Sequence, residues 1–277
     1  MNTEDFIKFA LEEDIGKGDF SSLACIPESL MNDAHIIAKE NGIIAGTELA
    51  KSIVILVDQN IQLEILKNDG ERISTGDIIL KLKGNARSIL KLERLLLNCM
   101  QRMSGIATKT YEMVRLLHGL NTKVIDTRKT TPNMRFLEKW AVRIGGGQNH
   151  RFGLYDMIML KDNHIDYAGG IKNAIKKTNQ FINDNKIDIK IEIETRNLEE
   201  VAEVLDQGGV DRIMLDNFTV DDLKKAIILI NGRYETEASG GITENTIRAY
   251  AESGVDYISV GALTHSVKSI DLSLKAF

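Results

Sequence analysis

Two kinds of apolar spacing alternate along the chain, and the change from one to the other divides it. From Lys123 onward, short runs of branched apolar residues alternate with stretches in which apolar positions recur every three or four residues. That alternation predicts βα units around a parallel sheet. The predicted strands end at Asp126-Thr127, Leu160-Lys161, Glu192-Ile193-Glu194, Leu215-Asp216, Ala238-Ser239 and Val260-Gly261. Helix starts carry capping chemistry: Asn197 is followed by Glu200 and Thr219 by Asp222, each pair able to satisfy free backbone N–H groups. Gly208-Gly209, Gly232 and Gly254 fall where these helices should stop. Six such strands are too few for a standard eight-stranded barrel but enough for a smaller or open one, whose strand C-terminal ends converge on one face.

The first hundred residues read differently. A helix over Thr3 to Glu12 leads into Gly16-Lys17-Gly18-Asp19, and alternating stretches follow at His35 to Ala38, Ile43 to Ala45, Ile61 to Leu66 and Ile78 to Leu82. Antiparallel strands fit these best. Ala86 to His118 is apolar at helical spacing but interrupted at Ser104-Gly105, which predicts two helices. The turns at Asp69-Gly70 and Gly76-Asp77 are those of carrier-protein β-sandwiches. No Met-Lys-Met or Asp-Lys-Ala hairpin precedes them, so a hairpin within a small α/β domain is the reading adopted.

Composition narrows the class. The 277 residues are 43% hydrophobic and 27% charged with two prolines, which describes globular structure rather than disorder. No apolar run approaches the roughly 18 residues of a membrane span, and Met1 to Asp14 lacks a signal-peptide core, so a soluble, unexported protein is expected. Cys25 and Cys99 form neither a disulfide framework nor a zinc spacing, which predicts reduced thiols in a cytoplasm. A net charge of -5 argues against nucleic acid as the main partner.

Charge is nevertheless uneven, and the stretch from Lys123 to His164 is basic. Arg135, Lys139 and Arg143 recur at helical spacing and read as a solvated face. Arg128, Lys129 and Lys161 instead fall at strand ends, where a barrel would point them into its mouth. Cations converging there imply a small polyanion such as a phosphate, pyrophosphate or dicarboxylate. Gly145-Gly146-Gly147 precedes His150-Arg151 and suggests a loop that brings this cation pair to a bound anion. Neither His150 nor His164 has a second ligand at metal spacing.

Glu192, Glu194 and Asp216 lie near the ends of successive strands, and Glu192 and Glu194 share a face. An oxygen-only cluster beside a phosphate site suits Mg²⁺; pairing with Lys161 and Arg128 as a structural ion network fits equally well. Ser239-Gly240-Gly241, with Thr243 at a helix start, and Val260-Gly261-Ala262 close the last two βα units, where barrels bind phosphate on backbone N–H groups.

Taken together, several runs resemble quinolinate phosphoribosyltransferase: Leu97-Asn98, Ser104 to Thr108, Asp126-Thr127-Arg128-Lys129-Thr130-Thr131-Pro132, Gly145 to Arg151, Leu160 to His164 and Gly261 to Ser266. The match runs in order from Glu13-Asp14-Ile15-Gly16 and Gly18-Asp19 to the final segment. The resemblance implies an α/β protein: an N-terminal α/β sandwich domain over 1–105, a six- to seven-stranded open α/β barrel with a TIM-like phosphate site over 106–265, and a segment over 266–277 returning to the first domain. It also implies transfer of a phosphoribosyl group from 5-phosphoribosyl 1-pyrophosphate to quinolinate, with loss of CO₂. By matching position, Thr127, Arg128, Lys129, His150, Arg151 and Lys161 resemble residues that hold the carboxylates and pyrophosphate. Glu194 and Asp216 resemble the acids at the ribose and Mg²⁺, bound directly or through water, and with Lys129 and Lys161 they make the expected catalytic set. Ser239, Gly240, Gly241, Val260, Gly261 and Ala262 resemble the 5′-phosphate cradle. Arg94 resembles an arginine that reaches the neighbouring subunit's site, which implies a homodimer. The sequence departs from the family pattern at Asn133-Met134, where Gly-Leu is usual, and at Thr195. The alternatives are a related transferase acting on nicotinate or another aromatic acid, and a non-catalytic sensor of phosphorylated sugars.

Overall fold

A computed structural model describes residues 2–276. In chain order the elements are α1 (Thr3–Ile15), α2 (Phe20–Cys25), β1 (Met31–Ala38), β2 (Gly42–Ile43), α3 (Thr47–Val57), β3 (Gln62–Ile65), β4 (Arg72–Ile73), β5 (Ile78–Asn85), α4 (Ala86–Leu116), β6 (Lys123–Ile125) and α5 (Arg135–Ile144). There follow β7 (Ile158–Leu160), α6 (Asp162–Ala168), α7 (Ile171–Asn185), β8 (Ile191–Thr195), α8 (Leu198–Gln207), β9 (Arg212–Asp216), α9 (Val220–Ile230), β10 (Glu235–Ser239), α10 (Ile247–Ala251), β11 (Tyr257–Ser259), α11 (Ala262–His265) and β12 (Leu272–Ala276). The chain forms two compact units. One gathers Met1–Tyr111, Thr130–Gly146 and Leu263–Phe277, the other Glu112–Lys129 and Gly147–Ala262. The compact units change over after 111 and 262, and the 130–146 segment goes with the N-terminal unit.

In the first unit, four antiparallel strands are ordered β12-β1-β5-β3 among the described residues. On β1 the buried positions are Ala34, Ile36 and Ala38, the period of two that one covered face requires. The strand expected over Ile43 to Ala45 is shorter than its pattern. Only Ile43 belongs to β2, because Ala45 N–H donates to Ser104 Oγ at 3.0 Å instead of a strand.

The two helices expected between Ala86 and His118 are one helix of 31 residues, α4. Gly105 does not break it. A Cβ at that position would lie 2.3 Å from the carbonyl oxygen of Lys268, so the glycine is there for close approach of another backbone, not for a bend. On α5, the expected solvated face holds only in part. Arg143 is exposed, but Lys139 is 2% exposed and its neighbour Glu138 is also buried. Glu138 accepts from Arg102, which also donates to Thr131 Oγ1 and the Thr264 carbonyl. Helical spacing alone could not show which side of α5 would be covered.

In the second unit, six parallel strands are ordered β6-β11-β10-β9-β8-β7 among the described residues. The register pairs Glu192 with Arg212, Glu194 with Met214, Glu237 with Met214, and Ser239 with Asp216. Strand alternation then places Glu192, Glu194, Arg212, Asp216, Glu237 and Ser239 on one side of the sheet. Asn197 and Thr219 cap α8 and α9 by accepting from the N–H groups of Glu200 and Asp222. Helix α9 stops at Asn231, in the left-handed region at φ 49°, one residue before the expected Gly232.

Candidate active site

The C-terminal strand ends of the second unit carry most of the predicted chemistry. Thr127 to Lys129 follow β6, Lys161 follows β7, Glu194 lies in the last two residues of β8, Asp216 and Ser239 end β9 and β10, and Val260 to Ala262 follow β11. Thr127 Oγ1 accepts from Lys129 N–H at 3.0 Å, a local turn that shapes this loop. Lys161 Nζ lies 3.5 Å from Glu194 Oε2. Burial raises the pKa of Glu194, Lys161 partly offsets this, and the nearby charges of Asp216 and Asp162 raise it further. Glu194 and Asp216 are thus close enough to repel, which is how two carboxylates stand when they share a cation or a pair of hydroxyls.

The two arginines of the predicted anion site also sense each other. Burial lowers the pKa of Arg151, and the charge of Arg128 lowers it further. Arg151 Nη1 donates to the Met157 carbonyl at 3.1 Å, which ties it to the loop ahead of β7. Two guanidinium groups that feel each other's charge in a half-buried place suit an anion such as a carboxylate or phosphate.

His150 sits lower. Its side chain is 5% exposed, and Nε2 points into the sheet's buried side, 2.7 Å from Glu192 Oε2 and 3.2 Å from Glu237 Oε2. The expected pairing of His150 with Arg151 as two side chains on an anion is therefore not what these contacts show. Burial opposes charge on the imidazole, and hydrogen bonds to the two carboxylates override it, raising its pKa to about 9. Arg151 N–H meets Nδ1 at 2.6 Å and so favours the tautomer with its proton on Nε2. The Nε2 proton is present in either state. Glu192 is pushed up by burial and by the charge of Glu237. Beneath lies Arg212, with Nη1 3.3 Å from Glu237 Oε2, Nη2 3.0 Å from Glu235 Oε2, and its guanidinium 4.0 Å over the ring of Tyr257.

Backbone placement completes the site. Asp126, fully buried, accepts from His150 N–H at 2.8 Å and from Asn149 Nδ2 at 2.5 Å. At the predicted phosphate cradle, Gly240 has φ 103°, and a Cβ there would lie 2.2 Å from Asn217 Oδ1. Only glycine fits. Thr243 does not start the next helix: it opens a turn closed by Ile247 N–H on its carbonyl, and α10 begins at Ile247. His164 Nδ1 accepts from Lys161 N–H at 3.0 Å, a local contact at the start of α6.

Arg94 belongs to the other unit and lies exposed on α4. A cavity of about 470 Å³ opens at the N-terminal strand ends, among Lys190, Asp211, Arg233 and Glu235, and none of the predicted site residues lines it. The sequence reading missed Asp126, Arg212 and Glu237 as parts of the site. For Glu237 a signal existed, since Glu235, Glu237 and Ser239 alternate along one strand as Glu192 and Glu194 do.

Known proteins match the chain over nearly its whole length. The model of the quinolinate phosphoribosyl transferase C-terminal domain matches residues 106–275, and that of its N-terminal domain matches residues 19–104. A quinolinate phosphoribosyltransferase [decarboxylating] 2b, mitochondrial, of Nicotiana tabacum is 49% identical over 98% of this chain and 81% of its own length. A probable nicotinate-nucleotide pyrophosphorylase [carboxylating] of Bacillus subtilis is 47% identical over 95% of this chain and 89% of its own. Among solved structures, NadC from Streptococcus pyogenes superposes with a TM-score of 0.93 at 41% identity, covering 98% of this chain and 95% of that one.

Proposed function

The chain belongs to the quinolinate phosphoribosyltransferase family, and from that premise we infer how its own residues carry out decarboxylating phosphoribosyl transfer. The reaction joins quinolinate to 5-phosphoribosyl 1-pyrophosphate and yields nicotinate mononucleotide, pyrophosphate and CO₂, a step of NAD biosynthesis. The observation that carries the residue assignment is the concentration of opposite charges on one set of strand ends: Arg128 and Arg151 near each other, and Lys161 3.5 Å from Glu194 with Asp216 beside it.

Arg128 and Arg151 bind the dicarboxylate, since planar guanidinium groups match planar carboxylates. Thr127 shapes their loop, and His150 forms the wall beneath them. Ser239 to Gly241 and Val260 to Ala262 take the 5′-phosphate on backbone N–H groups, where Gly240 lets the chain approach. Lys129 and Lys161 offset the charge that grows on the pyrophosphate as it leaves. Glu194 and Asp216 hold the ribose hydroxyls and orient C1 toward the pyridine nitrogen. Once alkylated, that nitrogen is positive and stabilises the electron pair left on C2 as CO₂ departs; a proton from solvent then bonds to C2, so decarboxylation needs no organic cofactor.

Both carboxylates offer oxygen only, at a partly open place beside a lysine, and this donor set suits Mg²⁺. When bound by Glu194 and Asp216, directly or through water, the ion adds positive charge next to the leaving pyrophosphate.

We also propose a homodimer in which Arg94 serves the neighbouring site. Arg94 is exposed one helical turn from the exposed Leu90, and Phe20, Leu23 and Leu30 are exposed in the same unit. The cytoplasm is the proposed location, supported by two free cysteines and by the absence, among the described residues, of a helix long and apolar enough to cross a membrane.

The test is purified protein mixed with quinolinate, phosphoribosyl pyrophosphate and Mg²⁺, omitting each in turn. Nicotinate mononucleotide and pyrophosphate should appear only with all three. Preference for nicotinate, or saturable binding with no pyrophosphate release, would overturn the reading.

A further inference from the structure

Two carboxylates from different strands aim at one atom. Glu192 on β8 and Glu237 on β10 are both fully buried, and each places its Oε2 within hydrogen-bond reach of His150 Nε2, at 2.7 and 3.2 Å. The backbone of His150 is held by Asp126, and Nδ1 accepts from Arg151 N–H when the ring is neutral. The imidazole is thus fixed at Nε2 and at its main chain.

Stability alone does not account for this arrangement. Interiors of βα barrels are filled mainly by Val, Ile and Leu, and buried ion pairs commonly stabilise no more than apolar residues of equal volume. Here Glu192 Oε1 and Glu237 Oε1 are buried without a hydrogen-bond partner, which adds cost. A metal is a poor occupant. The Nε2 to Oε2 distance of 2.7 Å is that of a direct hydrogen bond, and the Arg212 guanidinium 3.3 Å from Glu237 already supplies a cation there.

We propose that Glu192 and Glu237 are positioning residues for the dicarboxylate substrate: by seating His150 they fix the segment that carries Arg151 against Arg128. The proposal rests on the family reading of the site. Its signature is selective, because the contacts of the seat lead through His150 to Arg151 at the dicarboxylate, whereas Glu194 and Ser239 hold the ribose and phosphate with their own atoms. Outer partners that orient a binding residue commonly contribute tenfold or more to its affinity.

The experiment replaces Glu192 with Leu and with Gln. Glu192→Leu should raise KM for quinolinate about tenfold or more, leave KM for phosphoribosyl pyrophosphate within about twofold, and change kcat little. Glu192→Gln, whose amide oxygen still accepts from Nε2–H, should recover most of the loss. Imidazole ¹⁵N–¹H spectra give a readout that needs no turnover: the Nε2–H signal of His150 should persist but shift in Glu192→Gln, and in Glu192→Leu if that variant folds. Failure of the wild-type enzyme to make nicotinate mononucleotide would sink the family reading, whatever the spectra show. Equal rises in both KM values, an unchanged quinolinate KM, unmoved His150 signals in Glu192→Gln, or a stoichiometric metal lost on substitution would each overturn the positioning role.

Discussion

Lys161 Nζ stands 3.5 Å from Glu194 Oε2, with the lysine side chain 47% exposed and the carboxylate 11%. An open cation over a covered anion can turn toward an incoming negative group without losing its partner. Replacing Lys161 by Ala should lower kcat about 100-fold or more, the scale on which a preorganised charge contributes to a transition state. Melting temperature should barely change, since the lysine is half in water. A near-normal rate would remove Lys161 from the mechanism.

The same pair sets the acid limb of the rate profile. Burial raises the pKa of Glu194, Lys161 pulls it back in part, and Asp216 and Asp162 add to the rise, so its active, ionised form is lost above the ordinary glutamate range as pH falls. Without Lys161 the opposing influence is gone. The residual activity of Lys161→Ala should then show its acid limb at higher pH than the wild type, and a limb moved to lower pH would contradict the assignment.

Subunit sharing can be read by complementation. Arg94→Ala and Lys161→Ala should each be nearly inactive alone. Unfolded together and refolded as mixed dimers, they should regain up to about a quarter of wild-type activity, because in a two-fold dimer each hybrid has one intact site. No recovery would place Arg94 at its own chain's site or at none.

Gly105 offers a test whose sign is informative. On propensity alone, Ala in a helix interior is about 1 kcal/mol better than Gly. Because the new Cβ would meet Lys268 O at 2.3 Å, Gly105→Ala should instead destabilise by about 1–3 kcal/mol in urea unfolding. A stabilised variant would mean the two backbones are farther apart.

The two thiols should differ sharply. Burial pushes Cys99 up to about 12, whereas Cys25 is exposed. Since the thiolate is the reactive form, a disulfide reagent at pH 8 should titrate one thiol in the native protein and two after unfolding. Rapid reaction of both in the native state would show that Cys99 is accessible.

Polar residues ending short apolar runs made the strand ends legible, and with them Lys161, Glu194, Asp216 and the glycine corners. Local periodicity carries that information because strands alternate by two. What escaped depends on contacts between distant segments. Gly105 looks like a helix breaker until the backbone of Lys268 is placed beside it. Lys139 sits at a spacing that suits a wet face, yet it is buried. His150 looks like one more cation for the substrate, and only the fold brings Glu192 and Glu237 to its Nε2.

Strand β12 carries one more implication. It lies at the edge of the first sheet and pairs with β1 from Ala34↔Ala276 to Ala38↔Leu272, so that sheet joins segments far apart in the chain. During synthesis β1 waits with an open edge until Ala276 has left the ribosome, while the whole parallel sheet has already emerged. A nascent chain stalled before that point would offer the bare edge of β1 to other chains, and the interval before β12 docks is when a chaperone has most to guard.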